Sequence, residues 1–146
     1  MVNMDRFMKT ALEQAVQSRD EHGIPIGSVL VRDWQILGVG YNRRVQDDDP
    51  VAHAEIDCLR NAGRIGSYRD TVLYSTLMPC HLCAGAVVQF GIPKVIVGES
   101  ENFQGAEQWL TSQGVEVINL DLEECKTLMR TFIHQHPEIW SEDIGE

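Results

Sequence analysis

Apolar side chains recur at helical spacing from Met4 to Arg19, with Phe7, Met8, Ala11, Leu12, Ala15 and Val16 on one face. That period predicts an opening amphipathic helix, ended by Gly23 and Pro25. The runs Ile26 to Val31 and Gln35 to Tyr41, separated by Arg32-Asp33, predict two strands joined as a hairpin. The stretch from Asn42 to Pro50 is polar and carries an Asp run, which marks a surface loop. Beyond it the pattern alternates. A helix is expected from about Ala52 to Asn61, a strand at Thr71 to Ser75, a helix from Cys80 to Phe90, and a strand at Lys94 to Gly98. A further amphipathic stretch near Ala106 to Gln113, a strand at Val115 to Leu120 and a long helix from Leu122 to about His134 complete the series. Strands that alternate with helices argue for crossover connections, so the expected class is α/β, with a largely parallel sheet, helices on both faces and the hairpin as an antiparallel edge.

With 146 residues and no linker-like composition shift, the chain is read as one domain over residues 1–146. No apolar run reaches the length of a membrane span, and the amino terminus lacks the pattern of a secretory signal, so a cytoplasmic protein with no membrane partner is expected. A net charge of −10 opposes phosphate binding, and the cations Arg43-Arg44 and Arg60, Arg64 and Arg69 are scattered, so no nucleic-acid partner is expected. Cys58, Cys80, Cys83 and Cys125 form one close pair and two singletons, a poor disulfide framework. Cys58 and Cys125 are read as small buried apolar groups.

Two short segments carry candidate chemistry: VAHAEIDCL around His53 and Glu55, and MPCHLCAGAV around Cys80 and Cys83. Each falls at a predicted helix start, where the positive end of the helix favours thiolates. Cysteines three apart share a helix face and can grip one ion. With His53 they make three protein ligands, which leaves the fourth position of a tetrahedral zinc open, as in catalytic sites. Glu55 would point about 200° from His53 on a regular helix, which suits a proton carrier better than a fourth ligand. A redox Cys-x-x-Cys leaves His53 and Glu55 unexplained. A non-catalytic zinc-binding interaction module explains the ligands but not Glu55.

The paired H-x-E and P-C-x-x-C segments, together with GIPIG, LYSTLMPCHLCAGAVVQFGIPKVIVGESENF and the closing EDIGE, resemble the cytidine deaminase superfamily, and within it the fungal-type cytosine deaminases. The resemblance runs along nearly the whole chain. It implies a three-layer α/β/α sandwich with a five-stranded mixed sheet, a homodimer, one Zn2+ per subunit, and a place in pyrimidine salvage. It implies hydrolytic deamination of a free pyrimidine base, cytosine to uracil plus ammonia, with His53, Cys80 and Cys83 on the metal and Glu55 moving protons. It also implies a base pocket: Asn42 on the polar edge of the ring, the backbone of Ala54 on the carbonyl oxygen, Ile26 and Phe103 as walls, Trp140 over the ring and Asp143 on the amino group.

Three positions depart from that pattern: Ala54 replaces a glycine, Met78 a serine, and Asp57 is altered and expected on the outer face. Met78 would put a thioether where the amine sits, which points to the positional isomer isocytosine as a preferred substrate. Deamination of transfer-RNA adenosine, of a nucleoside or of guanine is the alternative within the class. The tail HPEIWSEDIGE is read with this pocket in view: residues 137–146 are expected to form a lid, with Trp140 and Asp143 inward and Glu142 and Glu146 in solvent.

Overall fold

The computed structural model describes residues 5–146. Five strands, β1 (Gly27–Arg32), β2 (Gln35–Tyr41), β3 (Val72–Ser75), β4 (Lys94–Val97) and β5 (Glu116–Asn119), form one sheet in the order β2-β1-β3-β4-β5. Six helices surround it: α1 (Arg6–Asp20), α2 (Ala54–Ala62), α3 (His81–Phe90), α4 (Glu107–Ser112), α5 (Glu123–Gln135) and α6 (Pro137–Asp143). The first residue of the predicted opening helix, Met4, lies outside the described residues. Asp5 caps α1, its Oδ1 accepting from the Phe7 and Met8 N–H groups.

The expected five-stranded mixed sheet and the elements around it are present. The expectation of a largely parallel sheet needs correcting: β3, β4 and β5 are parallel, but β1 runs antiparallel to both β2 and β3. The hairpin is therefore not a single antiparallel edge. It reverses direction within the sheet, because α2 follows β2 and returns the chain to β3 on the far side of β1.

Strand alternation assigns the layers. Val29, Val31, Tyr74 and Ile96 meet Phe7, Met8 and Ala11 of α1 and Cys125 of α5 on one face. Leu30, Leu73, Val95 and Val97 meet Cys58 of α2, Ala84 and Val87 of α3 and Leu110 of α4 on the other. The three-layer sandwich follows from that period of two. Both helix layers sit close: a Cβ on Gly27 would come within 2.0 Å of the Ala11 carbonyl, and one on Gly40 within 2.3 Å of the Cys58 nitrogen.

A third cluster lies off the end of the sheet. Ile24, Ile26, Ala54, Leu77, Met129, Phe132 and Trp140 are buried together where β1 begins and β3 ends. These are the strand ends at which α/β sheets place their ligands.

Candidate active site

His53 and Cys80 are the N-caps of α2 and α3, both in extended backbone, and Cys83 sits in the first turn of α3. The expectation of two cysteines on one helical face, and of Glu55 turned about 200° from His53, is thus corrected in its geometry. Because His53 is the cap residue, in extended backbone, the regular helical angle does not apply to it, and His53 and Glu55 line the same cavity. The His53, Cys80 and Cys83 donor atoms lie within 4.8 Å of one another, with His53 Nδ1 3.5 Å from Cys80 Sγ. Ligand bonds of about 2.0–2.3 Å put the donors of a tetrahedral zinc roughly 3.3–3.8 Å apart, so the three can close on one ion with small side-chain shifts.

Their electrostatics favour a cation as well. The Cys83 side chain beside it holds the Cys80 thiol down to about 4, against the opposing effect of burial. Cys83 is pushed well above its ordinary range by Cys80 and by burial. Burial disfavours a charged His53, but Cys80, Asp143 and Glu55 overcome it and raise the ring to about 9.

Glu55 is buried, and burial followed by the Cys80 charge raises its carboxyl to about 6. Its Oε1 accepts from two buried hydroxyls, Ser28 Oγ on β1 and Ser75 Oγ on β3, each at 3.4 Å. The sequence reading missed both serines. The signal was a polar residue inside an apolar strand, Ser28 in IGSVLV and Ser75 in TVLYS, which a buried hydroxyl tolerates only with a partner.

Ile26, Asn42, Ala54, Met78, Phe103, Trp140 and Asp143 all line this cavity with His53, Glu55 and Cys80; Leu77 and Ile144 join them unpredicted. Asn42 Oδ1 accepts from the Arg44 N–H at 2.9 Å, while Asn42 Nδ2 is buried without a partner. Asp143 Oδ1 is likewise buried without a hydrogen bond, 3.5 Å from His53 Nε2 and 3.8 Å from Arg44 Nη1. Burial holds its carboxyl above the ordinary range in spite of those cations. The cavity therefore presents one buried donor and one buried acceptor, close enough for the Asn42 side chain to lower the Asp143 carboxyl in part.

The tail is a helix, not an irregular strap. Pro137 opens α6, Trp140 is buried, and its ring meets Phe103 edge-on with centroids 5.5 Å apart. The Asp143 side chain is 4% exposed and that of Glu142 67%, the inward and outward division expected. Arg44 is no solvated cation: its side chain is 17% exposed and faces both acids. Asp57 is not on the outer face, since its Oδ2 accepts the Tyr41 N–H at the end of β2. The space left under α6 is about 20 Å³, enough for a water molecule. A larger groove of about 650 Å³ between α1 and α5 does not reach these residues.

Residues 1–99 match the family described as the cytidine and deoxycytidylate deaminase zinc-binding region. The chain belongs to this family, and it is a zinc-dependent hydrolytic deaminase. It is 45% identical over 142 residues to a cytosine deaminase of Candida albicans, covering 95% of each chain. A tRNA-specific adenosine deaminase of Streptococcus pyogenes serotype M18 is 35% identical over 144 residues, covering 90% of this chain and 91% of that one. Among solved structures, one from a study of tRNA:A34 deaminases superposes with a TM-score of 0.74 at 27% identity, over 84% of this chain and 97% of that one.

Proposed function

We propose that this chain deaminates a free pyrimidine base, cytosine plus water giving uracil plus ammonia. The observation that carries the reading is the tail: α6 buries Trp140 over the site and brings the Asp143 carboxylate, whose Oδ1 makes no hydrogen bond, within 3.5 Å of His53 Nε2. A closed lid with one donor and one acceptor suits a small flat base and leaves no exit for a ribose. The 45% identity to the Candida albicans cytosine deaminase supports it, and so does the net charge of −10, which opposes a polynucleotide.

In this reading His53, Cys80 and Cys83 hold one zinc per subunit. Zinc supplies Lewis acidity there, lowering the pKa of a water from about 15.7 toward about 7. Glu55 takes one proton of the attacking water and passes it to the adjacent ring nitrogen, then takes the second from the hydroxyl now on the ring carbon and gives it to the departing amine, so that the C–N bond breaks, the carbonyl forms and ammonia leaves. Ser28 and Ser75 hold Oε1 of Glu55 and fix the carboxyl for proton transfer. The free N–H at Ala54, in the first turn of α2, donates to the base carbonyl. Asn42 and Asp143 fix the ring edge, and Ile26, Phe103 and Trp140 cover its faces and exclude water.

Met78 is 1% exposed and lines the cavity, which supports a role for its side chain in choosing between cytosine and isocytosine. The 35% relatives keep transfer-RNA adenosine as the second reading. One panel decides: ammonia release from cytosine, isocytosine, cytidine, guanine and transfer RNA, with zinc counted per subunit. Turnover of cytosine or isocytosine alone is expected, and turnover of cytidine or transfer RNA without either free base would end the proposal.

A homodimer accords with the outer face of α3, where Leu82 and Phe90 are each 45% exposed, and with Trp109 nearby at 38%. Light scattering should give twice the 16.5 kDa chain mass. A cytoplasmic enzyme of pyrimidine salvage is the setting this chemistry serves. No helix among the described residues is long and apolar enough to cross a membrane.

A further inference from the structure

Glu99 is a fully buried carboxylate that the chemistry above does not use. It follows β4, and its two oxygens go to one residue: Oε1 accepts from Asn102 Nδ2 at 2.9 Å and Oε2 from the Asn102 N–H at 3.0 Å. Among the described residues no cation stands within ion-pair distance of it. A buried carboxyl is costly unless it is hydrogen-bonded, so two bonds from one side chain to one residue fix that residue's place.

What they fix is the edge of the pocket. Asn102 Nδ2 also donates to the Lys126 carbonyl of α5 at 3.0 Å, and the Glu99 carbonyl accepts the Met78 N–H at 3.0 Å. The turn cannot drift toward α5, because a Cβ on Gly98 would already come within 2.5 Å of Cys125 Sγ. Glu99 therefore ties three things together: Met78 of the cavity wall, the turn that delivers Phe103, and the helix that leads to α6. Phe103 is the residue after Asn102, and its ring meets Trp140 edge-on.

We propose that Glu99, acting through Asn102, is a positioning residue that sets Phe103 against Trp140 and so determines how tightly the base is held. This rests on the reading of the cavity as a base site, and its test carries one readout that needs no substrate. Glu99→Gln turns an amide NH2 toward the Asn102 amide and breaks one of the two bonds. Glu99→Gln with Asn102→Asp reverses donor and acceptor and restores both bonds between positions 99 and 102, though not the one from 102 to the Lys126 carbonyl. Glu99→Gln should raise KM about tenfold, the consequence of losing roughly one buried hydrogen bond of orientation, with kcat and zinc content nearly unchanged. The reversed pair should recover a clear part of that loss in KM. Phe103→Ala should raise KM similarly, and adding Glu99→Gln to it should do little more.

In a Trp34→Phe, Trp109→Phe background, where Trp140 is the remaining tryptophan, Glu99→Gln should increase acrylamide quenching about twofold and the reversed pair should reduce it. If Glu99→Gln does not fold, Asn102→Ala serves, since it removes only the side-chain half of the clasp. A lowered Tm with KM and Trp140 quenching unchanged would overturn the proposal, as would additive losses with Phe103→Ala. If the wild type turns over no free base, the free-base reading fails while the quenching arm still decides the clasp.

Discussion

His53, Cys80 and Cys83 stand at the first turns of two helices docked on the sheet, whereas Trp140 and Asp143 stand on a seven-residue helix reached only through α5. The metal side is held by the core itself: α2 and α3 pack Cys58, Ala84 and Val87 against Leu30, Leu73 and Val95. The lid side is held by Trp140 in the cluster of Ile24, Ile26 and Phe132, by the Phe103 edge contact and by Arg44. A helix of seven residues has no stability of its own, so α6 keeps its place by those contacts. The space beneath α6 is about 20 Å³, so on the proposed reading a base requires α6 to move.

Removing α6 and keeping the rest should separate the two sides most strongly. A chain ended after Ile139 should fold, bind one zinc and release no measurable ammonia, as read by circular dichroism, metal analysis and an ammonia assay. Full activity would show that α6 is only an acidic tail. The complementary change on the rigid side is Glu55→Gln, which should leave zinc content and base binding intact and lower kcat by about 10²–10⁴-fold. An active Glu55→Gln enzyme would remove Glu55 from the proton path. A smaller effect is expected from the tie between the two sides. Arg44 faces Glu142 at 3.6 Å and Asp143 at 3.8 Å, and Arg44→Ala should raise KM by about fivefold, within the range of a partly exposed ion pair. Added salt should narrow the gap between wild type and variant, and a salt-independent difference would mean that Arg44 acts through packing instead.

The contrast between the two sides also decided what the sequence disclosed. The metal cluster was legible because its donors lie in two short segments whose spacing is itself the signal, and the two faces of the sheet could be read from the alternation of Val29, Leu30 and Val31. Contacts between distant segments left no such trace. Nothing near Arg44 announces that it meets acids a hundred residues on, and nothing in GESENF announces that Glu99 is buried and bonded twice to Asn102. The direction of β1 against β3 was hidden for a similar reason: a hairpin fixes its own pairing locally, while its other edge is fixed by where α2 returns the chain. Asp57 was misplaced because a helical period cannot tell that the end of β2 has an unpaired N–H for it to accept.

The rigid side carries a cost that metal removal should reveal. Burial raises the Glu55 carboxyl to about 6 from an ordinary 4.5, so the folded chain binds this proton more tightly than the unfolded chain does. A raised carboxyl favours the fold when protonated. Below about pH 4.5 Glu55 is neutral in both states and costs nothing. Between 4.5 and 6 the unfolded chain ionises first, and above 6 the folded state carries a charge it disfavours by about 2 kcal/mol. Chelator-treated Glu55→Gln protein should therefore gain stability over chelator-treated wild type as pH rises through that window, reaching about 2 kcal/mol at pH 7.5 in urea denaturation. Zinc should shrink the gap, because the cation stabilises the same carboxylate. A gap that is flat with pH would mean that Glu55 is not under electrostatic strain in the metal-free site, and the account of its raised pKa would then fail on the side of the pocket that the core was expected to hold most firmly.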